Sequence, residues 1–294
     1  MKNSIIYYLL FILLLMNTIN YVYAQITVMD DSHQIVTLPQ AAKRVISLSP
    51  GLTELIFAAG GGQYLKGVVT YSDYPPEAKH IQRVGSYNAL DIEQILMLQT
   101  DLIIAWQSGN PKHQIEQLKK FGIPVYLSEP GDFEDIAATI LQLGKLMATE
   151  QIARQSAQTF LTQYLHLKQQ YQLAHNQAGK STFIQIWNKP LMTVNQAHLI
   201  SKVISLCGGN NIFADNISLT STPDIESILA ANPQVIIATG MADSSKQWLK
   251  RWRQWPYLNA VKNQQLFAVN PDHLVRHTPR ILLGIKEVCS FLQP

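Results

Sequence analysis

The chain has 294 residues, enough for two domains of ordinary size, and its apolar fraction is normal for a globular protein. The formal net charge is +3 without any basic run, which argues against nucleic acid as a partner. Only two cysteines occur, Cys207 and Cys289, and no segment is of low complexity.

Residues 1–24 read as an export signal. Lys2 supplies the charged start, residues 5–16 the apolar core, and Val22 and Ala24 the small side chains of a cleavage site. The apolar run is short for a membrane span. No cysteine follows the cleavage site, so a soluble periplasmic protein starting near Gln25, without a lipid anchor, is expected. Two cysteines in an exported chain ordinarily pair. A Cys207–Cys289 bond would tie the helix before Gly208 to the C-terminal helix.

Residues 25–43 are predicted to form a hairpin, ITVMD and IVTLP around DSHQ. RVISLS (44–49) follows as a buried strand. Pro50, Gly51 and Leu52 are expected to make a tight turn. Thr53 then caps a helix whose inner face is Leu55, Ile56 and Ala59 and whose end is marked by Gly60, Gly61 and Gly62. The turn is not a phosphate loop, because GxxxxGK[ST] and GxGxxG are both absent. LKGVV is a strand, and the loop TYSDYPP at its carboxyl end carries Tyr71 and Tyr74. Tyr87 in RVGSYNAL and Trp106 in DLIIAWQSGN fall at the ends of two further strands. Ligands of open α/β sheets lie outside the carboxyl ends of the strands. A single aromatic there ordinarily caps the core, but Tyr71, Tyr87 and Trp106 on one rim favour a flat apolar binding wall. Residues 107–121 are predicted helical, 122–129 a strand and 132–147 a helix.

Residues 150–175 contain neither Gly nor Pro. Ala153, Ala157, Phe160, Tyr164, Leu167 and Tyr171 mark one face of a helix about 35–40 Å long at about 1.5 Å per residue. Thr149 is placed to cap its start and Gly179 lies past its end. DIEQILMLQTDLIIA (91–105) precedes this helix and DIESILAANPQVIIA (224–238) follows it, matching without a gap. Each copy reads as a short amphipathic helix, a turn and a buried strand. The expected fold is therefore α/β, with two similar lobes built on mostly parallel sheets. The lobes span residues 25–148 and 179–294, and one rigid helix over 149–178 joins them.

The second lobe opens with the strand STFIQIWN, ending at Trp187, and the loop KPLMTVNQ with Met192. A helix in HLISKVISLCGGNNIF and the polar loop ADNISLTSTP come next. A helix over 247–255 carries Trp248, Trp252 and Trp255. A turn and strand in LNAVKNQQLFAVN, a loop over 272–277 and a closing helix complete the chain. There is no GxSxG elbow, no HExxH and no paired His/Cys ligand spacing. His273 and His277 stand four apart, but Pro271 and Pro279 bracket them and no third ligand is near, so no metal site is expected. No catalytic set is legible.

RVISLSPGLTELIFAAG, YSDYPPEA, DLIIAW with its following Gly and Asn, CGGNNIF, and PRI after the 272–276 segment together resemble the periplasmic binding proteins of ABC importers with a rigid helical connector. Among these the chain is similar to the cobalamin-binding members, and YSDYPP is the most diagnostic piece. The resemblance spans nearly all of the chain after the export signal. It implies a non-enzymatic receptor, monomeric when free, with no resident cofactor. Two lobes clamp a corrinoid between them and deliver it to a permease dimer with its ATPase subunits. It implies a ligand set of Tyr71, Tyr87, Trp106, Pro50, Gly51, Leu52, Met192, Asp272, His273, Leu274, Val275 and Arg276. Glu93 and Glu226, at the same place in the two D-I-E copies, are implied as transporter-docking carboxylates. Cys207 and Cys289 match the family's disulfide. The sequence departs from the pattern at His273, Leu274 and Val275, at Thr220 in place of a tryptophan, and at Met192 in place of phenylalanine. The second wall is therefore expected to be less aromatic. Haem or a ferric siderophore on the same fold is the alternative. Haem asks for a Tyr or His axial ligand, for which Tyr71 and His273 are the candidates. An enzyme or cofactor chaperone is disfavoured by the missing catalytic set.

Overall fold

The computed structural model describes residues 25–172, 179–240 and 244–293. The predicted export signal and the last residues of the predicted connector, 173–178, lie outside that set. β1 (Ile26–Met29) and β2 (Ile35–Leu38) form the expected antiparallel hairpin, with Ile26 opposite Leu38. β3 (Val45–Ser47) is buried on both faces, as a strand inside a parallel sheet must be, and leads directly into α1 (Pro50–Ala58).

The tight turn predicted at Pro50, Gly51 and Leu52 is instead the first turn of α1. Ser49 caps it by accepting from the Leu52 N–H at 3.2 Å, and Pro50 takes the first helical position, where an N–H would have no partner. Thr53 is buried one turn in, and its hydroxyl donates to the Ser49 carbonyl. The first lobe continues through β4 (Leu65–Val68), β5 (Gln82–Arg83), the small hairpin of β6 (Gly85–Ser86) and β7 (Ala89–Leu90), and α2 (Ile92–Met97). It is completed by β8 (Leu102–Trp106), α3 (Lys112–Lys120), β9 (Val125–Ser128) and α4 (Phe133–Met147). Helix α3 starts after Pro111 rather than at 107, because the intervening residues turn back around Trp106. The sheet order is β5-β4-β3-β8-β9, parallel throughout.

α5 (Glu150–Gln172) buries Ala153, Ala157, Phe160, Tyr164 and Leu167, with Tyr171 partly buried, which is the face read from the sequence. Phe133 stacks on Tyr164 with ring centroids 4.3 Å apart, and burial pushes the Tyr164 phenol up to about 12. The Thr149 hydroxyl does not cap α5. It donates to the Ala59 carbonyl at 2.6 Å and so fastens the strut to the end of α1.

The second lobe holds β10 (Lys180–Gln185), β11 (Trp187–Asn188), β12 (Leu191–Val194), α6 (Leu199–Leu206), β13 (Gly209–Asn211) and β14 (Thr220–Ser221). It continues with α7 (Ile225–Ala231), β15 (Val235–Ala238), α8 (Ser244–Trp252), α9 (Asn259–Lys262) and β16 (Leu266–Ala268). α10 (Pro271–Leu274) and α11 (Ile281–Leu292) close it. The strand expected to reach Trp187 breaks at Ile186, and the Trp-rich helix ends at Trp252, leaving Trp255 beyond it. Part of the loop expected over 272–277 is α10, capped by the Asn270 side chain.

The parallel order β13-β10-β15-β16 repeats β4-β3-β8-β9 of the first lobe. The D-I-E copies are structural equivalents. Asp91 caps α2 by accepting from the Gln94 N–H at 2.9 Å, and Asp224 caps α7 from the Ser227 N–H at 2.7 Å. Gln99 and Asn232, at matching positions after these helices, both take a left-handed backbone (φ 50° and 42°) that turns the chain into the next strand. α5 packs on α4 and α1 of the first lobe and on α6 and α11 of the second.

Cys207 and Cys289 form a disulfide that joins the end of α6 to α11 across 82 residues of chain. A loop of that length should contribute about 4–5 kcal/mol in the chain-entropy model. Replacing both cysteines by alanine is expected to lower the unfolding free energy by about 4–5 kcal/mol, seen as a lower denaturant midpoint. A double variant as stable as the parent would show that the bond does not stabilise the fold. Thiol titration of the denatured, unreduced parent should find no free thiol.

Candidate functional site

The carboxyl ends of β3 and β8 mark the switch point of the first sheet, where the chain leaves neighbouring strands in opposite directions. Trp106 ends β8 there. Its N–H donates to Asn110 Oδ1 at 2.6 Å, and its indole Nε1 donates to Glu129 Oε1 at 3.2 Å. Asn110 Nδ2 reaches the Leu48 carbonyl at 2.9 Å and the Tyr87 carbonyl at 2.7 Å, so one buried amide links three loops. A Cβ on Gly109 would overlap the Trp106 ring, which explains the glycine. The β1–β2 hairpin supports the same corner. Asp31 accepts from the Glu129 N–H at 2.6 Å, with its carboxyl pushed up by burial.

Tyr87 lies on the turn of the β6–β7 hairpin rather than at a strand end, and its ring meets Trp106 at 5.9 Å between centroids. Tyr71 lies beyond β4 with φ 65°, a left-handed backbone that costs about 1 kcal/mol or more for a non-glycine residue. The Thr70 N–H donates to the Gly85 carbonyl at 2.9 Å and holds the two tyrosine loops side by side. Tyr71 is 64% exposed and Tyr87 43% exposed, large aromatic faces turned to solvent. The structure thus places the three predicted aromatics on one rim.

A pocket of about 540 Å³ lies between the lobes, and Tyr71, but neither Tyr87 nor Trp106, is among its lining residues. Tyr71 and Asp73 line it from the first lobe. Asn270, Asp272, Arg276 and the end of β16 line it from the second, together with Ser245 and Lys246. Arg276 donates to Asp73 Oδ1 at 3.0 Å and to the Tyr71 carbonyl at 3.1 Å, and it pairs with Asp272 at 3.0 Å. Behind it sits Glu54 of α1, whose side chain is only 3% exposed. This carboxylate accepts from Arg276 at 3.0 Å, from Arg280 Nη2 at 2.8 Å and Nε at 3.0 Å, and from the Thr278 hydroxyl at 2.9 Å. Burial works against the Arg280 charge, but Glu54 and Asp272 outweigh it and raise its pKa above the ordinary arginine value. The Arg280 guanidinium also lies over the Tyr74 ring, 4.2 Å from its centroid.

A second seam joins the lobes. His277 Nδ1 meets the Pro130 carbonyl at 2.8 Å, and its ring stands edge-on to His198, 5.2 Å between centroids. His198 caps α6 by accepting from the Ile200 N–H at 3.1 Å. Lys202 bridges to Asp132 at 2.6 Å and to the Gly131 carbonyl at 2.9 Å. Burial opposes the Asp132 charge, yet the Lys202 and Phe133 hydrogen bonds hold its carboxyl below the usual range.

Some sequence expectations are corrected here. Leu52 and Leu274 are buried in the hydrophobic core and offer no surface to a ligand. Both belong to the ligand set that the family resemblance implies, and each lies in a helix. His273 is turned to Glu287, with Nδ1 to Oε1 at 2.5 Å, and does not line the pocket. Met192 is half-buried on β12, paired across from Trp187, and is also absent from the pocket lining. Gly51 faces the second lobe, where a Cβ would meet Arg276 and Thr278 at 3.6–3.9 Å, with Pro50 beside it. Val275 is exposed next to Arg276. The sequence reading missed Glu54, Asp73, Asn270, Thr278 and Arg280. A lone carboxylate in the otherwise mainly apolar helix PGLTELIFA was the available signal for Glu54.

Two parallel sheets of the same order, a single long helix packed on both lobes and a pocket between the lobes are the architecture of a two-lobed binding receptor. Residues 45–273 match the model of the periplasmic binding protein family, and the chain belongs to that family, whose members are non-enzymatic transport components of the periplasm. Among individual proteins, it is 40% identical over 256 residues to the vitamin B12-binding protein of Vibrio cholerae serotype O1, covering 87% of this chain and 91% of that one. It is 39% identical over 259 residues to the vitamin B12-binding protein of Yersinia pestis, covering 87% and 89%. The crystal structure of the periplasmic vitamin B12 binding protein BtuF of Vibrio cholerae matches with a TM-score of 0.78 at 40% identity, over 86% of this chain and 97% of that one. The periplasmic heme-binding protein RhuT from Roseiflexus shares the fold alone, with a TM-score of 0.74 at 21% identity over 86% and 98%.

The histidine seam makes stability depend on pH. Burial first, and His277 second, hold the His198 pKa down at about 3, and burial lowers that of His277 as well. An unfolded histidine titrates near 6.5. Between the two values the unfolded chain binds more protons, so stability rises with pH and is lost as pH falls below about 6.5. His198 contributes a slope of about 1.4 kcal/mol per pH unit in that window. His198→Asn keeps a capping acceptor but cannot be protonated. It should flatten the fall in unfolding free energy between pH 6.5 and 4.5, and equal slopes for parent and variant would refute the assignment.

Proposed function

We propose that this protein captures cobalamin in the periplasm and hands it to an inner-membrane ABC transporter. The observation that supports the reading is an inter-lobe pocket edged by Tyr71, with the Tyr87 and Trp106 rings on the same rim, in a chain 40% identical over most of its length to a vitamin B12-binding protein. Residues 25–148 and 179–294 act as the two jaws and 149–178 as the strut, after cleavage of the export signal near Ala24. The flat face of the corrin lies on the aromatic wall. Arg276, Asp272 and Asn270 of the second jaw meet the polar amide edge, flanked by Pro50, Gly51 and Val275. Haem on the same fold asks for an axial Tyr or His. His273 is engaged by Glu287, which leaves Tyr71 of the two candidates. An anionic siderophore asks for spare positive charge, whereas Arg276 and Arg280 already face Glu54, Asp73 and Asp272.

Each exposed aromatic should contribute about 1–2 kcal/mol through buried area and stacking. Calorimetric titration of the mature protein with cyanocobalamin is expected to give one site, and Trp106→Ala should weaken it about tenfold or more. Tight haemin binding without cyanocobalamin binding would overturn the reading.

Glu93 and Glu226 are both exposed in the first turns of α2 and α7, and neither has an ion-pair partner among the described residues. Their matching places in the two lobes suit a two-fold permease dimer that offers one Arg or Lys to each. Such contacts raise the association rate and make it salt-sensitive. Glu93→Ala combined with Glu226→Ala should leave cyanocobalamin affinity unchanged while complex formation with the permease falls sharply. Docking and uptake like the parent's would reduce both glutamates to helix-start residues.

A further inference from the structure

The buried carboxylate of Glu54 stands out because every partner it has on side chains comes from the opposite lobe. Glu54 is on α1 of the first lobe, and Arg276, Thr278 and Arg280 belong to the second. Four hydrogen bonds saturate it in a setting almost without water. Its neighbour Gly51 packs on Arg276 and Thr278 with space only for ordinary contact, so the α1 N-terminus and the 276–280 segment form one polar junction.

The two carboxylates that hold Arg276 from the first lobe differ in kind. Asp73 is about half exposed on the pocket rim, and the Tyr71 carbonyl beside it is exposed too. Both are contacts that an arriving polar ligand group can replace. Glu54 lies away from the pocket lining and shares Nη1 of Arg276 with Asp73, while Nη2 faces the Tyr71 carbonyl and Asp272. Arg280 is held from two sides, by Glu54 and by the Tyr74 ring, and does not line the pocket.

We propose that Glu54 is a positioning residue for ligand capture: it fixes the pose of Arg276 at the cleft and, through Arg280 and Thr278, sets the separation of the lobes before any ligand arrives. The affinity consequence rests on the cobalamin reading, whereas the lobe junction does not. On this view the ligand exchanges with Asp73 and the Tyr71 carbonyl for the front of Arg276, and the Glu54 contacts persist in both states. Glu54 is then a residue that touches no ligand atom and still governs how tightly the cleft holds one.

The test uses the mature protein, with Glu54→Gln, Arg276→Ala and the double variant, and cyanocobalamin as the probe. Glu54→Gln is expected to weaken binding about tenfold. Arg276→Ala should cost about tenfold in the parent but less than about threefold on the Glu54→Gln background, because the arginine is no longer aimed. A merely structural Glu54 would lower stability and leave the cost of Arg276→Ala the same in both backgrounds, which would overturn the proposal. Hydrogen exchange of the unliganded protein supplies the second readout. Amides at 278–281, which include the Thr278 N–H bonded to the Arg276 carbonyl, should exchange about tenfold faster in Glu54→Gln, with α4 and α5 unchanged. Unchanged exchange at 278–281 would refute the junction whatever the ligand is. If the parent fails to bind cyanocobalamin, the cobalamin reading falls while the exchange result still decides the junction. Should Glu54→Gln not fold, Arg280→Gln reads the same claim from the other side. Weaker binding and faster exchange support it, and parent-like values on both overturn it.

Discussion

One helix face holds the molecule together. The apolar stripe of α5 packs on α4 and α1 of the first lobe and on α6 and α11 of the second, so both lobes share a single buried seam. At the start of that seam a Cβ on Gly144 would overlap the Ala153 side chain, and the two helices cross in direct contact. Thr149 adds a hydrogen bond from the strut to the last turn of α1. Apolar burial of this kind has no partner to exchange with, since water cannot replace it at equal free energy. The front of the molecule is different. There the outer contacts of Arg276, to Asp73 and to the Tyr71 carbonyl, are ones that water or a polar ligand can substitute. An apolar back thus stands behind a front whose outer polar contacts are exchangeable.

How much of this could be read beforehand follows the range of the physics involved. The stripe of α5 was legible because helical periodicity is local, and all of its predicted positions are buried or partly buried. The D-I-E copies were legible for the same reason, through caps and amphipathic spacing. The misreading at Pro50 was also local. Pro and Gly signal a turn and a helix start alike, and here Ser49 decides for the helix by supplying the cap. Leu52 and Leu274 entered the ligand set through the family resemblance, and the helices capped by Ser49 and Asn270 hold both in the core. The Glu54–Arg280 contact joins residues 226 apart and leaves no periodic trace. Only the oddity of a carboxylate in an apolar helix pointed toward it. The fold was therefore more legible than the floor of the cleft.

The repeat explains why the scaffold is symmetric while the site is not. Capping aspartates, left-handed turns at Gln99 and Asn232, and four parallel strands in one order are matched between lobes, because each follows from the same local requirements. The rim carries no such requirement. Loops after the strands are free to differ as long as their backbone groups are satisfied. The first lobe uses that freedom for exposed aromatic rings, positioned by the Asn110 amide and by the Thr70–Gly85 bond. The second presents Asn270, Asp272 and Arg276, and puts Thr220 on an exposed strand edge. A flat apolar face opposite a polar one suits a ligand whose own surface is divided in that way. The division also favours one orientation, because turning such a ligand over would set its polar edge against Tyr71 and Trp106 and its apolar face against Asn270, Asp272 and Arg276.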